Sequence, residues 1–310
     1  MTILARGIHY IDLRFRGVPN VIATAVLETD DGILLIDPGP SVTIPHLSEQ
    51  LAELGMDLID VSGILLTHIH LDHGGATGML LQAHPKMRLY VHERGAPHMV
   101  NPTKLLDSAR RLYGESMDSL WGPVLPVPSD SVTILCGGER LNFASKSLDV
   151  AYTPGHASHH VCYFDNESGV AFCGDVGGVR IAPLPSVLPP TPPPDVDIEL
   201  WKTSIARILE WSPSKLFLTH FGPVDDVPAD HLSKLQVRLV QYAERVKLLL
   251  ESPLSDLERI HSFQADFTTD LLSENLEEDV QKYRNAAPID QCYLGLVRYW
   301  TKKWAQTKTN

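Results

Sequence analysis

Thr67-His68-Ile69-His70-Leu71-Asp72-His73-Gly74-Gly75 follows directly on the apolar run Ile64-Leu65-Leu66. Three histidines and an aspartate within six positions are a dense set of metal-type ligands. In an extended segment alternate side chains share a face, so His68, His70 and Asp72 can project together. His73 can then turn in from the next turn of backbone, and Gly74-Gly75 lets the chain pass close by. Imidazole nitrogen with carboxylate oxygen is the donor set of zinc and of harder divalent ions.

Three later segments repeat that construction. The strand ending Tyr152-Thr153 leads into Pro154-Gly155-His156, Val170 to Cys173 into Gly174-Asp175, and Leu216 to Leu218 into Thr219-His220. Each delivers a ligand-type residue at the end of an apolar strand, beside a glycine. Sites are commonly built on loops that a rigid sheet holds in place. Five histidines and two aspartates at four strand ends are poorly explained by core packing.

The ordered set His68-x-His70-x-Asp72-His73, His156, Asp175, His220 resembles that of the metallo-β-lactamase-fold hydrolase superfamily, over about residues 8–225. The resemblance implies an αββα sandwich of two mixed β-sheets with outer helices, and two metal sites. His68, His70 and His156 would hold one ion, and Asp72, His73 and His220 the other, with Asp175 bridging. Asp37, in Leu34-Leu35-Ile36-Asp37-Pro38-Gly39, matches an aspartate that supports the ligand loop from behind. A bridging aspartate, and the wording Tyr152-Thr153-Pro154-Gly155-His156-Ala157-Ser158-His159-His160, are similar to the glyoxalase II-like branch. The C-terminal helices resemble that branch's helical appendage, but no substrate-binding residue can be matched.

The implied chemistry is hydrolysis by a metal-bridging hydroxide, which Asp72 orients, acting on a small acyl substrate: a thioester, ester or lactone. Zinc suits the mixed nitrogen and oxygen donors; similar sites take iron or manganese. Tyr152, His159 and His160 stand near enough in sequence to serve as proton donors or as supporting residues. A phosphodiesterase or nuclease of the same fold is the main alternative, and a side activity on β-lactams stays open. A ring of Arg and Lys around the cleft would favour phosphate. A redox or sensor variant would need a flavin domain, and no dinucleotide fingerprint is present.

Composition narrows the partners. The 310 residues are 44% hydrophobic and 21% charged, the profile of a chain that buries a substantial core. A net charge of −12 argues against a nucleic-acid-tracking surface. The first ten residues lack a signal-peptide pattern and no run is long enough to span a membrane, so a cytoplasmic protein without membrane contact is expected. Cys136, Cys162, Cys173 and Cys292 are scattered and read as free, mostly buried thiols. A homo-oligomer stays open.

Along the chain, strands are expected over residues 8–15, 20–28, 33–36, 64–67, 88–91, 132–135, 148–153, 161–164, 170–173 and 215–218. Helices are expected over 45–54, after Asp72, over 95–121 with a break near Gly114, and over 197–211 with Ile198, Trp201, Ile205 and Ile208 on one face. Residues 181–195 hold Pro183, Pro185, Pro189, Pro190, Pro192, Pro193 and Pro194, which dictate a stiff extended loop: a wall or lid for the site, or a plain connector. From Pro228 the pattern is helical only, so residues 1–227 read as the catalytic domain and 228–310 as a helical region. Helices are expected there along Leu232, Leu235, Leu239, Tyr242, Val246 and Leu249, over 254–285 and over 289–305. The late Tyr299, Trp300, Lys302, Lys303 and Trp304 read as helix packing, with ligand contact as the alternative. Selectivity is expected in the proline-rich loop, the 95–125 segment and the last helices.

Overall fold

Two mixed β-sheets lie face to face in the computed structural model, which describes residues 2–181 and 184–307. The first runs in chain order through β1 (Thr2–Ala5), β2 (Ile8–Asp12), β3 (Ala23–Thr29), β4 (Gly32–Ile36), β5 (Val61–Leu65), β6 (Arg88–His92) and β7 (Val132–Leu135). The second holds β8 (Arg140–Phe143), β9 (Lys146–Tyr152), β10 (Val161–Asp165), β11 (Val170–Phe172), β12 (Lys215–Leu218) and β13 (Gly222–Val224), in the order β13-β12-β11-β10-β9-β8. From β4 to β7 the pairing is parallel, and β11 also pairs parallel with β12. Parallel strands are covered on both faces, which is why Ile33 to Ile36 and Ile64 to Leu66 are unbroken apolar runs, all buried.

The helices are α1 (Ile44–Glu53), α2 (Leu71–Gly74), α3 (Thr77–Ala83), α4 (Ala96–Val100), α5 (Thr103–Tyr113), α6 (Met117–Trp121) and α7 (Ile198–Glu210), then α8 (Pro228–Glu251), α9 (Asp256–Glu274), α10 (Glu277–Ala286) and α11 (Ile289–Thr307). α7 starts where the Asp197 side chain accepts from the Leu200 N–H, and it buries Ile198, Trp201, Ile205 and Ile208 as its spacing predicts. The six apolar positions expected on α8 are all buried too. Backbone bonds seal the sandwich where the site forms: Val161 N donates to Thr67 O and Ala23 N to Thr219 O, both at 2.8 Å.

Several expectations need correction. β1, β8 and β13 are short strands that the sequence pattern did not reveal. β5 ends at Leu65, so Leu66 to His70 is a loop; Leu71 then opens a helical turn instead of continuing extended. The helix expected over 254–285 is two, broken at Asn275-Leu276. Chain 184–195 is free of helix, as its prolines require, and is tied by an antiparallel bridge between Val179 and Leu188; Pro183 lies outside the described residues. Tyr299 to Lys303 are packing residues: Trp300 Nε1 donates to Ala243 O at 2.7 Å, the Tyr299 hydroxyl to Glu199 at 2.8 Å, and Lys302 Nζ to Pro194 O at 2.9 Å. Cys162, Cys173 and Cys292 are buried and Cys136 exposed, all four as free thiols. No described helix is long and apolar enough to cross a membrane.

Candidate metal centre

All seven ligand-type residues meet at one edge of the sandwich. β5 delivers His68 and His70 on its exit loop, and the turn of α2 carries Asp72 and His73. β9 leads to His156, β11 to Asp175 and β12 to His220. Two of these turns depend on glycine. A Cβ on Gly155, at φ +140°, would stand 2.4 Å from Trp201 Cα, and one on Gly174, at φ +47°, 2.5 Å from Thr67 Oγ1.

The side chains fall into two groups. His68, His70, His156 and Asp175 form one; Asp72, His73 and His220 form the other, and within each group the donor atoms lie within 4.8 Å of one another. Asp175 faces both. Its Oδ2 is 3.3 Å from His156 Nε2 and 3.9 Å from His68 Nε2, while its Oδ1 is 3.1 Å from His73 Nε2 and 3.6 Å from His220 Nε2. Asp72 Oδ2 stands 3.2 Å from His220 Nε2 and 3.7 Å from His73 Nε2. Because Leu71–Gly74 is helical, Asp72 departs from the face of His68 and His70 and joins His73.

The hydrogen bonds behind the imidazoles fix which nitrogen faces inward. His156 Nδ1 donates to Pro190 O at 2.8 Å and His220 Nδ1 to Val21 O at 2.7 Å; both acceptors are carbonyls, so both Nδ1 atoms carry the proton. His73 Nδ1 donates to Asp37 Oδ2 at 2.8 Å. The Thr67 hydroxyl gives its own proton to Asp37 Oδ2 at 2.7 Å, which leaves its lone pair for His68 Nδ1 at 3.1 Å. With Nε2 unprotonated, these four rings aim lone pairs at the centre. Burial opposes protonation, but Asp175 and Asp72 raise the pKa of His73 well above its ordinary value and raise that of His220 too, so a cation bound there would take the place of those protons. Asp37 is fully buried at φ +53° and also accepts from Thr67 N and the Thr219 hydroxyl, each at 2.8 Å.

Such a cluster fits cations better than protons. His68 Nε2 and His156 Nε2 both stand 3.0 Å from His70 Nδ1, and a single proton there can serve only one of them. His73 Nε2, His220 Nε2 and Asp175 Oδ1 are buried without a hydrogen-bond partner among the described residues. Donors placed tetrahedrally about 2.1 Å from an ion stand roughly 3.4 Å apart, which matches the separations above. The charges agree. Burial pushes the Asp175 carboxyl up, but His73, His156 and His220 outweigh it and hold it well below its ordinary value. Burial likewise opposes Asp72, yet His73 and His220 bring it down to about 2. Burial drives His68 well down and, with His156, His70 to about 4, so both stay neutral lone-pair donors.

Above the two groups lies a cavity of about 400 Å³. His70, Asp72 and Asp175 form its floor. Its walls come from α5 (Leu105, Ser108, Leu112, Tyr113), from Pro190 and Pro192 to Pro194, and from the α10–α11 junction (Ala286 to Pro288, Gln291, Cys292). The proline-rich loop is thus a wall. His159 reaches the cavity; His160 does not, its Nδ1 lying 2.9 Å from Thr153 Oγ1, and Tyr152 donates to Ser158 O at 2.9 Å. Tyr113, Gln291 and Arg94 belong to the cavity although no local pattern marked them; Tyr113 Oη lies 3.3 Å from Gln291 Oε1.

The sequence model of the metallo-beta-lactamase superfamily matches residues 17–220. A metallo-beta-lactamase fold-containing protein, ST1585 of Sulfurisphaera tokodaii, is 28% identical over 234 residues, 74% of this chain and 84% of that protein. A hydroxyacylglutathione hydrolase of a Synechococcus strain is 33% identical over 136 residues, 44% of this chain; the match spans only 41% of that enzyme. The crystal structure of the metallo-beta-lactamase family protein TTHA1429 of Thermus thermophilus superposes with a TM-score of 0.71 at 23% identity, over 98% of this chain and 96% of that one. That last likeness speaks for the fold alone.

Proposed function

This chain belongs to the metallo-β-lactamase superfamily of metal-dependent hydrolases, and from that premise we propose that it cleaves a small acyl substrate: a thioester, ester or lactone. The observation that carries this reading is the cavity of about 400 Å³ seated directly on the two ligand groups, a volume in the small-molecule range. The partial likeness to hydroxyacylglutathione hydrolases supports the choice of an acyl group. His68, His70 and His156 would hold one divalent ion, Asp72, His73 and His220 a second, with Asp175 between them; zinc is proposed from the donor types, with iron and manganese as alternatives. Bound there, the ions supply Lewis acidity and bring the pKa of water toward neutrality.

The protein's own groups do the rest. Asp72 stays ionised and partly open to the cavity, so it can orient the attacking water and accept its proton. Burial, and then the Asp72 charge, push the Tyr113 phenol well above its ordinary value, so it remains an O–H donor on the cavity wall. The prolines and the α10–α11 junction keep bulk water away from the acyl group. A thiolate or alkoxide leaving group needs little further help.

Phosphodiester cleavage is the second reading. It is favoured by one observation, that Arg94, Lys104 and Arg111 line the same cavity. The same cavity is also lined by Asp72, Asp175 and Asp195, and the net charge of −12 disfavours a polyanionic partner. Kinetics on a panel of thioester, lactone, β-lactam and bis(p-nitrophenyl) phosphate substrates separate the readings. The highest kcat/KM is expected on a thioester or lactone; a clear preference for the phosphodiester would overturn the acyl assignment.

A further inference from the structure

Three cations line the cavity of a chain that carries 38 acidic and only 26 basic residues. Arg94 follows β6, and Lys104 and Arg111 lie on α5 with Ser108 between them. Positions 104, 108 and 111 share one helical face, and all three line the cavity. None of the three cations forms an ion pair among the described residues; Arg94 only lies 5.9 Å from the centre of the Tyr152 ring. Their neighbours on the outer face of α5, Arg110 and Asp107, do pair, at 3.7 Å. The carboxylates of the cavity are already engaged. Asp72 and Asp175 face the histidines, and Asp195 accepts from the Ser158 hydroxyl at 2.5 Å. Pro190, Pro192, Pro193, Ala286 and Pro288 also line the cavity and give it an apolar surface.

We propose that Arg94, Lys104 and Arg111 form an anion subsite that binds a carboxylate or phosphate on the leaving half of the acyl substrate. The inference rests on the acyl-hydrolase reading above and names its substrate class: an apolar acyl group joined to an anionic thiol or alcohol. The acyl group lies against the prolines, its carbonyl at the carboxylate-lined floor, and the charged end reaches the α5 wall. In the reaction the oxygen of water bonds to the acyl carbon. The carbon–sulfur or carbon–oxygen bond breaks with its electron pair on the leaving atom, and the proton of water passes by way of Asp72 to that atom or to solvent.

The test uses hexanoyl thioesters of three thiols: neutral N-acetylcysteamine, 3-mercaptopropionate with a carboxylate, and phosphopantetheine with a phosphate. Their non-hydrolysable thioether counterparts are titrated by calorimetry. At low salt the charged thioesters should exceed the neutral one in kcat/KM by about tenfold, mainly through KM. That ratio should fall toward one in Arg94→Ala/Lys104→Ala/Arg111→Ala and at high salt, and the larger fall identifies carboxylate or phosphate as the preferred group. An unchanged ratio in the triple variant would overturn the subsite. So would charged thioethers that bind no more tightly than the neutral one, a readout that needs no turnover. Charge-dependent thioether binding without hydrolysis of any thioester would uphold the subsite and overturn the acyl-hydrolase reading instead.

Discussion

Asp37 accepts four hydrogen bonds, from Thr67 N, the Thr67 and Thr219 hydroxyls, and His73 Nδ1, and it has no contact with solvent. Removing it leaves buried donors without partners and frees the His73 ring to rotate. Asp37→Ala is therefore expected to lose about 3–5 kcal/mol of stability, measured by urea unfolding; a loss under about 1 kcal/mol would show that the aspartate is dispensable. Asp175→Ala removes the one carboxylate that faces both ligand groups. It should release much of the bound metal and nearly all turnover, and unchanged activity would show its role to be misassigned. At this scale the sequence was most legible, because strand-end ligands beside glycines leave a trace of residue types in order. Thr67 and Thr219 left none: threonines become hydrogen-bond partners of Asp37 only once β4, β5 and β12 converge. Tyr113, Arg94 and Gln291 were equally silent, being ordinary surface residue types from segments far apart in the chain that meet only around the cavity.

Among the elements, α8 docks through a buried histidine. His231 Nε2 donates to Gly177 O at 2.8 Å, and burial, reinforced by Arg180, outweighs that hydrogen bond and the Asp226 charge and lowers its pKa to about 4. Its folded value lies below the unfolded one of about 6.5, so its contribution is complete above pH 6.5 and declines as acid protonates only the unfolded chain. Between pH 7 and pH 5 the wild type should lose about 2 kcal/mol more than His231→Gln; parallel stability profiles would rule this out. A second element contact is steric. A Cβ on Gly295 of α11 would stand 1.9 Å from Thr191 O, so Gly295→Ala must push the helix off the proline-rich loop. A loss of about 1–3 kcal/mol with a raised KM is expected from melting and kinetics, and unaltered values would mean that the contact relaxes freely. Apolar periodicity foretold α7 and α8 because each buries one stripe. It missed β1, β8 and β13, strands of three or four residues, too short to establish an alternation. It also merged α9 with α10, since Asn275 is a weak breaker when a helical pattern runs on both sides of it.

For the whole molecule, the cavity is composite: the sandwich supplies the floor, α5 one wall, the prolines another, and the α10–α11 junction a third. The arrangement in two mixed sheets was implied by the family resemblance, whereas most individual strands and the helical C-terminal stretch follow from runs of strand and helix pattern in the sequence. The shape of the cavity does not, because it depends on segments far apart in the chain meeting over the ligands. Metal should also hold this arrangement together, since bringing two carboxylates and five imidazoles inward gathers charge and lone pairs that bound cations would neutralise. The most direct measurement is the metal content of purified protein, loaded with zinc and freed of excess by gel filtration. About two ions per chain are predicted from two adjacent ligand groups, whereas a protein that emerges from the column without bound metal would contradict the account.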